Sequence, residues 1–193
     1  MEAQLKLAPI LRMQELEKLD ISTKSPNKAG VMAMFYPNKQ GVTHLVLILR
    51  KTYQGVHSNQ VGFPGGRVED IDKNLKHTAL RETEEEIGIP GKDIKVLKRL
   101  TRLYIPPSNF WVYPYVGLYE KTPCFIPQES EVEQVLEVAL SDLIDEENLI
   151  TQTLSTSYAD EIEVPAFFLN GHVVWGATAM MLSELKDMLR TLL

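Results

Sequence analysis

The run Arg81-Glu82-Thr83-Glu84-Glu85-Glu86-Ile87-Gly88-Ile89 restricts this chain more than any other stretch. Each residue of an α-helix advances about 100° around the axis. With Glu82 at zero, Glu86 falls at about 40° and Glu85 at about 300°, while Glu84 points away at about 200°. Glu82, Glu85 and Glu86 therefore crowd one arc, and Leu80, Thr83 and Ile87 share another that can pack on a sheet. Arg81 stands one turn from Glu85 and can brace it by an ion pair, whereas carboxylates three and four residues apart repel. Such a helix is destabilised unless a cation neutralises it. Mg²⁺ suits the task, because it takes hard oxygen ligands, keeps several waters and bridges to phosphates. A glutamate-rich helix alone is more often a solvated face. Its context decides otherwise: Phe63-Pro64-Gly65-Gly66 makes a tight loop opening into the helix, and glycines let backbone approach a ligand or ion closely.

Around this unit the chain alternates strand and helix signals. Ala3 to Leu19 has the apolar spacing of a short amphipathic helix interrupted by Pro9. Residues 1–27 are accordingly expected to form an N-terminal helix and loop, and residues 28–193 the main domain. Gly30–Tyr36 and His44–Leu49, separated by Pro37-Asn38-Lys39-Gln40-Gly41, predict a hairpin. Residues 51–66 read as an ordered loop. A helix is expected from Asp72, as its N-terminal cap, to Ile87, with Gly88 as a left-handed stop. Strands follow at Ile94–Tyr104 and Phe110–Tyr119, broken by Ile105-Pro106-Pro107-Ser108-Asn109, then at Val132–Val138. A short helix is expected around Ser141–Asn148. Ile162–Leu169 and His172–Trp175 flank Asn170-Gly171, a two-residue hairpin signal, and Ala177–Leu192 closes the chain as an amphipathic helix. The fold class is α+β, with a mixed sheet sandwiched between helices (α/β/α) and an added N-terminal helix.

Composition removes several alternatives. The net charge of −6 lacks the basic stripe that a nucleic-acid backbone requires, so no nucleic-acid partner is expected. No apolar run has the length of a membrane span, no secretory leader is evident, and a cytoplasmic location is the expectation. Cys124 is the only cysteine, which excludes an internal disulfide and a cysteine zinc site. An acidic protein that handles a phosphorylated ligand needs local positive charge, from a divalent cation and a few placed Arg and Lys residues.

The segment Gly66-Arg67-Val68-Glu69-Asp70-Ile71-Asp72 leading to Arg81–Ile89 resembles the signature box of the Nudix hydrolase family. The resemblance implies a metal-dependent pyrophosphohydrolase using Mg²⁺ or Mn²⁺ on a small-molecule nucleotide. Glu82 and Glu86 would be metal ligands, Glu85 a further ligand or the group activating water, and Arg81 its orienting residue. Glu82, Glu85 and Arg81 thus make the expected catalytic set. The usual box has an early Glu where this chain has Asp72, and one residue fewer before the Arg. That extra residue is shared with the coenzyme A pyrophosphatases, whose pre-box signature is similar to Arg50, the spaced loop and Phe63-Pro64-Gly65-Gly66. Lys51, Gly55 and Asn59 depart from that signature. The implied reaction is cleavage of coenzyme A or acyl-coenzyme A to 3′,5′-ADP and 4′-phosphopantetheine. ADP-ribose or another nucleoside diphosphate derivative is the alternative, and a non-catalytic nucleotide sensor a third reading.

Substrate contacts are expected from Arg50, Arg67, Gly65, Gly66, His57 and Gln60. For Arg50, a phosphate contact and a plain strand-end charge are equally open. Lys98, Arg99 and Arg102 form a local basic group; Tyr104, Phe110 and Trp111 offer stacking surfaces but read first as core. For Glu129, Glu131, Glu133 and Glu137 the resemblance allows a distal base or extra ligand, but each one reads first as surface charge. A homodimer is left open by the sequence.

Overall fold

The computed structural model describes residues 2–8, 10–51, 59–154 and 161–192. Two short helices, α1 (Glu2–Leu5) and α2 (Ile10–Lys18), precede the first strands, β1 (Asn27–Pro37) and β2 (Thr43–Arg50). Two very short strands, β3 (Val61–Gly62) and β4 (Gly65–Arg67), lead to α3 (Leu75–Ile87). Then come β5 (Ile94–Arg99), β6 (Leu103–Ile105), β7 (Phe110–Tyr119), β8 (Val132–Ala139), α4 (Leu140–Ile144) and β9 (Leu149–Leu154). The hairpin β10 (Ile162–Leu169) and β11 (His172–Trp175) precedes α5 (Gly176–Arg190).

The main sheet runs β3-β2-β1-β7-β5, with β4 paired to β1, β6 to β7 and β8 to β2. β1 and β7 are parallel, from Asn27↔Phe110 to Phe35↔Leu118, and the other pairings are antiparallel, so the sheet is mixed as expected. A separate antiparallel sheet joins β11, β10 and β9. β1 is buried along nearly its whole length, because successive side chains enter opposite layers. Ala29, Val31, Ala33 and Phe35 pack in the cluster that includes Met180, Leu182 and Leu185 of α5. Met32, Met34 and Tyr36 pack with Ala79 and Ile87 of α3. This two-sided burial is the sandwich predicted from the alternation of strand and helix signals.

Several boundaries differ from the sequence expectation. The strand expected at Ile94–Tyr104 is two strands, separated where Leu100 N–H bonds Pro114 O at 2.9 Å. The helix expected around Ser141–Asn148 ends at Ile144, and the unexpected strand β9 follows it. The supposed loop 51–66 contains β3 and the start of β4. These strands are only two and three residues long, too short to display a periodicity. At the N-terminus, Leu7 is buried in the α5-side core, Gln4 Nε2 donates to Thr101 O (2.9 Å) and Glu184 Oε2 (2.7 Å), and Ser183 Oγ donates to Ala3 O at 2.7 Å. The N-terminal segment therefore docks on the closing helix.

Candidate active site

α3 presents its apolar arc to β1 and its acidic arc to the loop before it. Its N-cap is Asn74, whose side chain accepts from His77 N–H at 3.0 Å, and Gly88 ends it at φ 74°. Asp72, expected to be the cap, is not: it lies before the cap with its side chain fully buried, at 0% exposure. There it accepts from Glu69 N–H (3.0 Å), His77 Nδ1 (2.9 Å), Arg81 Nε (3.1 Å) and Arg81 Nη2 (3.0 Å). The Arg81 hydrogen bonds, chief among these, hold its carboxyl well below the usual carboxylate range.

Arg81 is a hub. Besides Asp72 it reaches Glu85 Oε2 through Nη1 at 2.7 Å, Glu82 Oε1 through Nη2 at 2.9 Å and the Arg67 carbonyl at 3.2 Å. Its pKa is raised above the ordinary arginine value, with the bond to Asp72 the main cause. One guanidinium thus ties the loop, the pre-helix turn and two of the three carboxylates together.

Glu86 is held differently. It is 2% exposed; Oε2 accepts from Gly65 N–H at 2.7 Å and Oε1 from Arg50 Nη2 at 3.3 Å. Burial raises its pKa from 4.5 to about 7; Arg50 and the Gly65 N–H pull it down, while Glu82 and Glu131 push it up. Glu82 is also raised, first by burial, against the lowering effect of Arg81. Gly66 lies directly beneath Glu82: a Cβ there would sit 2.4 Å from the Glu82 carboxyl carbon. Gly65 takes φ +148°, and a Cβ there would meet Gly30 O at 2.4 Å. Gly66 thus lets the Glu82 carboxylate lie on bare backbone, and Gly65 lets the loop press against β1.

The structure brings Arg81, Glu82, Glu85, Glu86, Arg50, Gly65 and Gly66 to one corner. Glu85 is 55% exposed, drawn outward onto Arg81. Arg67 is exposed and contributes its carbonyl; Gln60 accepts Arg50 N–H through its carbonyl at 3.1 Å. His57 lies outside the described residues. Arg99 and Arg102 lie instead over aromatic rings of β7, 6.0 Å from the Tyr113 centroid and 4.4 Å from that of Trp111. Tyr104 is buried, with its hydroxyl donating to Asn109 at 2.8 Å. Glu131, expected as surface charge, is exposed yet stands near the corner. Its charge acts on both Glu82 and Glu86, and it arrives through tertiary pairing alone: β8 aligns Val132 with Arg50, and Glu131 O accepts Lys51 N–H at 2.9 Å.

Among the described residues no three His, Cys, Asp or Glu side chains converge as a preformed ion cage. Cations of the Mg²⁺ type need none, since one or two carboxylates, water and substrate phosphate complete the shell. Glu86 is buried and Glu82 is 13% exposed; both carboxyl pKa values are raised, and their hard oxygens beside the glycine loop have the donor chemistry for such an ion. Among the described residues no helix is long and apolar enough to cross a membrane.

Comparison with known proteins places the chain in a family. The family model described as NUDIX domain matches residues 26–156. The chain is 32% identical over 143 residues to the uncharacterized Nudix hydrolase NudL of Photorhabdus laumondii, covering 74% of this chain and 75% of that one. It is 31% identical over 144 residues to the human mitochondrial coenzyme A diphosphatase NUDT8, covering 74% and 61% respectively. In fold it is similar to the Nudix hydrolase RenU of M. smegmatis (TM-score 0.58, 14% identity, 87% and 88% covered). It is also similar to a MutT/nudix family protein of Enterococcus faecalis (TM-score 0.57, 16% identity, 97% and 72% covered). The chain belongs to the Nudix family, and is a pyrophosphohydrolase acting on small nucleotide substrates.

Proposed function

We propose that this enzyme hydrolyses the pyrophosphate bridge of coenzyme A or an acyl-coenzyme A, giving 3′,5′-ADP and 4′-phosphopantetheine. The observation that carries the chemistry is the seating of Glu82 and Glu86 against the Gly66 and Gly65 backbone. Glu82 and Glu86, with Glu85 as a further ligand or base, would hold Mg²⁺ or Mn²⁺. A bound divalent ion supplies charge neutralisation at the phosphates and acidifies a water. Arg81 keeps Glu85 turned to the open side of the corner, where the carboxylate takes the proton of the attacking water. The water oxygen bonds to one phosphorus, the bridging P–O bond breaks, and its electron pair leaves with the departing phosphate. Arg50 and Arg67 provide positive charge beside the glycine loop, and with the cation allow a chain of net charge −6 to accept a polyanion.

Coenzyme A is favoured by the matched Arg50 and Phe63-Pro64-Gly65-Gly66, by the extra residue between Asp72 and Arg81, and by the relative named a coenzyme A diphosphatase. Lys51, Gly55 and Asn59 depart from that pattern, and Lys51 is engaged with Glu133 at 3.0 Å, which keeps ADP-ribose as the second reading. The deciding experiment assays coenzyme A, ADP-ribose, diadenosine polyphosphates and NADH with each metal, with products identified by mass. A kcat/KM for coenzyme A below that for ADP-ribose would transfer the assignment to the second reading.

A further inference from the structure

Arg50 was open between a phosphate contact and an idle strand-end charge, and its geometry fits neither alone. It closes β2, where the pairing with β8 slips in register between Leu49 and Arg50. Such an irregularity re-aims the side chains next to it. Arg50 Nη2 donates to the Gly65 carbonyl at 2.7 Å and to Glu86 Oε1 at 3.3 Å, and the side chain remains 27% exposed. Gly65 is therefore gripped at both ends, its N–H by Glu86 and its carbonyl by Arg50. The two acceptors are a backbone carbonyl and a buried carboxylate, both hard oxygens that would equally suit a divalent cation.

We propose that Arg50 is a resident counter-cation, which joins the Gly65 carbonyl to Glu86 until a divalent ion takes those oxygens, and which then turns its freed guanidinium onto the substrate's pyrophosphate. The proposal rests on the reading of Glu86 as a metal ligand. A guanidinium and a divalent ion on one carboxylate oxygen repel strongly at short range, so one must yield. Arginine is suited to such an exchange because its charge is permanent and its planar fork fits carbonyl, carboxylate and phosphate alike. The partial exposure of Arg50 gives it somewhere to go. Metal and substrate would consequently help each other: the ion releases the arginine, and the phosphates receive it, a reciprocal coupling of two binding events.

The test measures Mn²⁺ binding to the substrate-free protein by electron paramagnetic resonance of the free ion, at about pH 8.5, where carboxyl groups are ionised in every variant. Arg50→Gln should bind Mn²⁺ at least about threefold more tightly than the unaltered protein, because the competing charge is gone. At saturating metal its KM should rise about tenfold, because the phosphate contact is gone. Weaker or unchanged Mn²⁺ binding overturns the proposal, and so does an unchanged KM. If Arg50→Gln does not fold, Arg50→Lys serves: a point charge loses the fork, so KM should rise about fivefold, and an unchanged KM overturns the proposal. Glu86→Gln, titrated alongside, separates the two failures. Mn²⁺ binding lost in Glu86→Gln but not strengthened in Arg50→Gln removes only the role of Arg50. Mn²⁺ binding unaltered in Glu86→Gln removes the metal site itself.

Discussion

Asp72 and Glu86 are both withdrawn from water within one loop–helix unit, at 0% and 2% side-chain exposure, yet their carboxyls are driven in opposite directions. Asp72 has its oxygens saturated by two bonds from Arg81, one from His77 and one from a backbone N–H. Glu86 has one short backbone bond and one long bond to an arginine, and faces the charges of Glu82 and Glu131. Burial alone does not decide the state of a carboxylate; the number and charge of its donors do. The compensated residue braces the frame. The under-compensated one remains short of positive charge, which is the condition in which a cation binds well.

The largest test of that contrast is Glu86→Gln. It should lower kcat by about a thousandfold or more, a barrier increase above roughly 4 kcal/mol, while the metal-free protein melts no earlier, since an amide of the same shape removes a poorly paired buried charge. Wild-type turnover with saturating metal would end the assignment. Asp72→Asn should behave the other way round. Removing the buried anion beside Arg81, which keeps Glu82 and Glu85 as partners, costs roughly 3 kcal/mol of stability by urea denaturation, and kcat falls about ten- to a hundredfold through the misaimed hub. An unchanged unfolding midpoint would erase the difference between the two residues.

The pH dependence sharpens the same contrast. The Glu86 carboxyl titrates at about 7 in the fold against 4.5 ordinarily, so its protonated form is favoured by folding. Its contribution is complete below about pH 4.5 and lost as pH rises through about 7, on the order of 3 kcal/mol. The depressed Asp72 contributes stability above the ordinary carboxylate range that is lost as pH falls. Metal-free protein should therefore be more stable at about pH 5 than at about pH 8, and added divalent ion should restore the loss at the higher pH. Calorimetry with and without metal decides; equal melting shifts at both pH values would contradict it. The smallest expected effect is that of Asn74→Ala, about 1 kcal/mol for a lost N-cap, with kcat preserved because Asn74 touches none of the carboxylates. A loss as large as that of Asp72→Asn would mean that the roles of these two residues were assigned the wrong way round.

What could be read beforehand was whatever repeats locally. The acidic arc of α3, its packing arc, the Gly88 stop and the glycine pair follow from helical period and backbone freedom, and all appear in the structure. Asp72 was misread because the capping rule weighs residue type and position only, and Asn74, two residues on, satisfies it equally. Its partner Arg81 is nine residues away, beyond any local pattern. The proximity of Glu131 to Glu82 and Glu86 was hidden for the same reason on a larger scale: only the β2–β8 pairing carries it to the corner. Strand β9 does alternate exposed and half-buried residues, but the expected helix over Ser141–Asn148 ran up to its first residue and obscured it.

The end of α3 is tied down by a distant strip of chain. Ile126 N–H bonds Ile87 O at 3.0 Å, Gln128 N–H bonds Glu86 O at 2.9 Å, and a Cβ at Gly88 would press on Ile126. Cys124 is exposed two positions upstream and is the only thiol in the chain. The protein thus comes with a single natural attachment point for a dye or spin label, set beside the seam through which the backbone of Glu86 is moored.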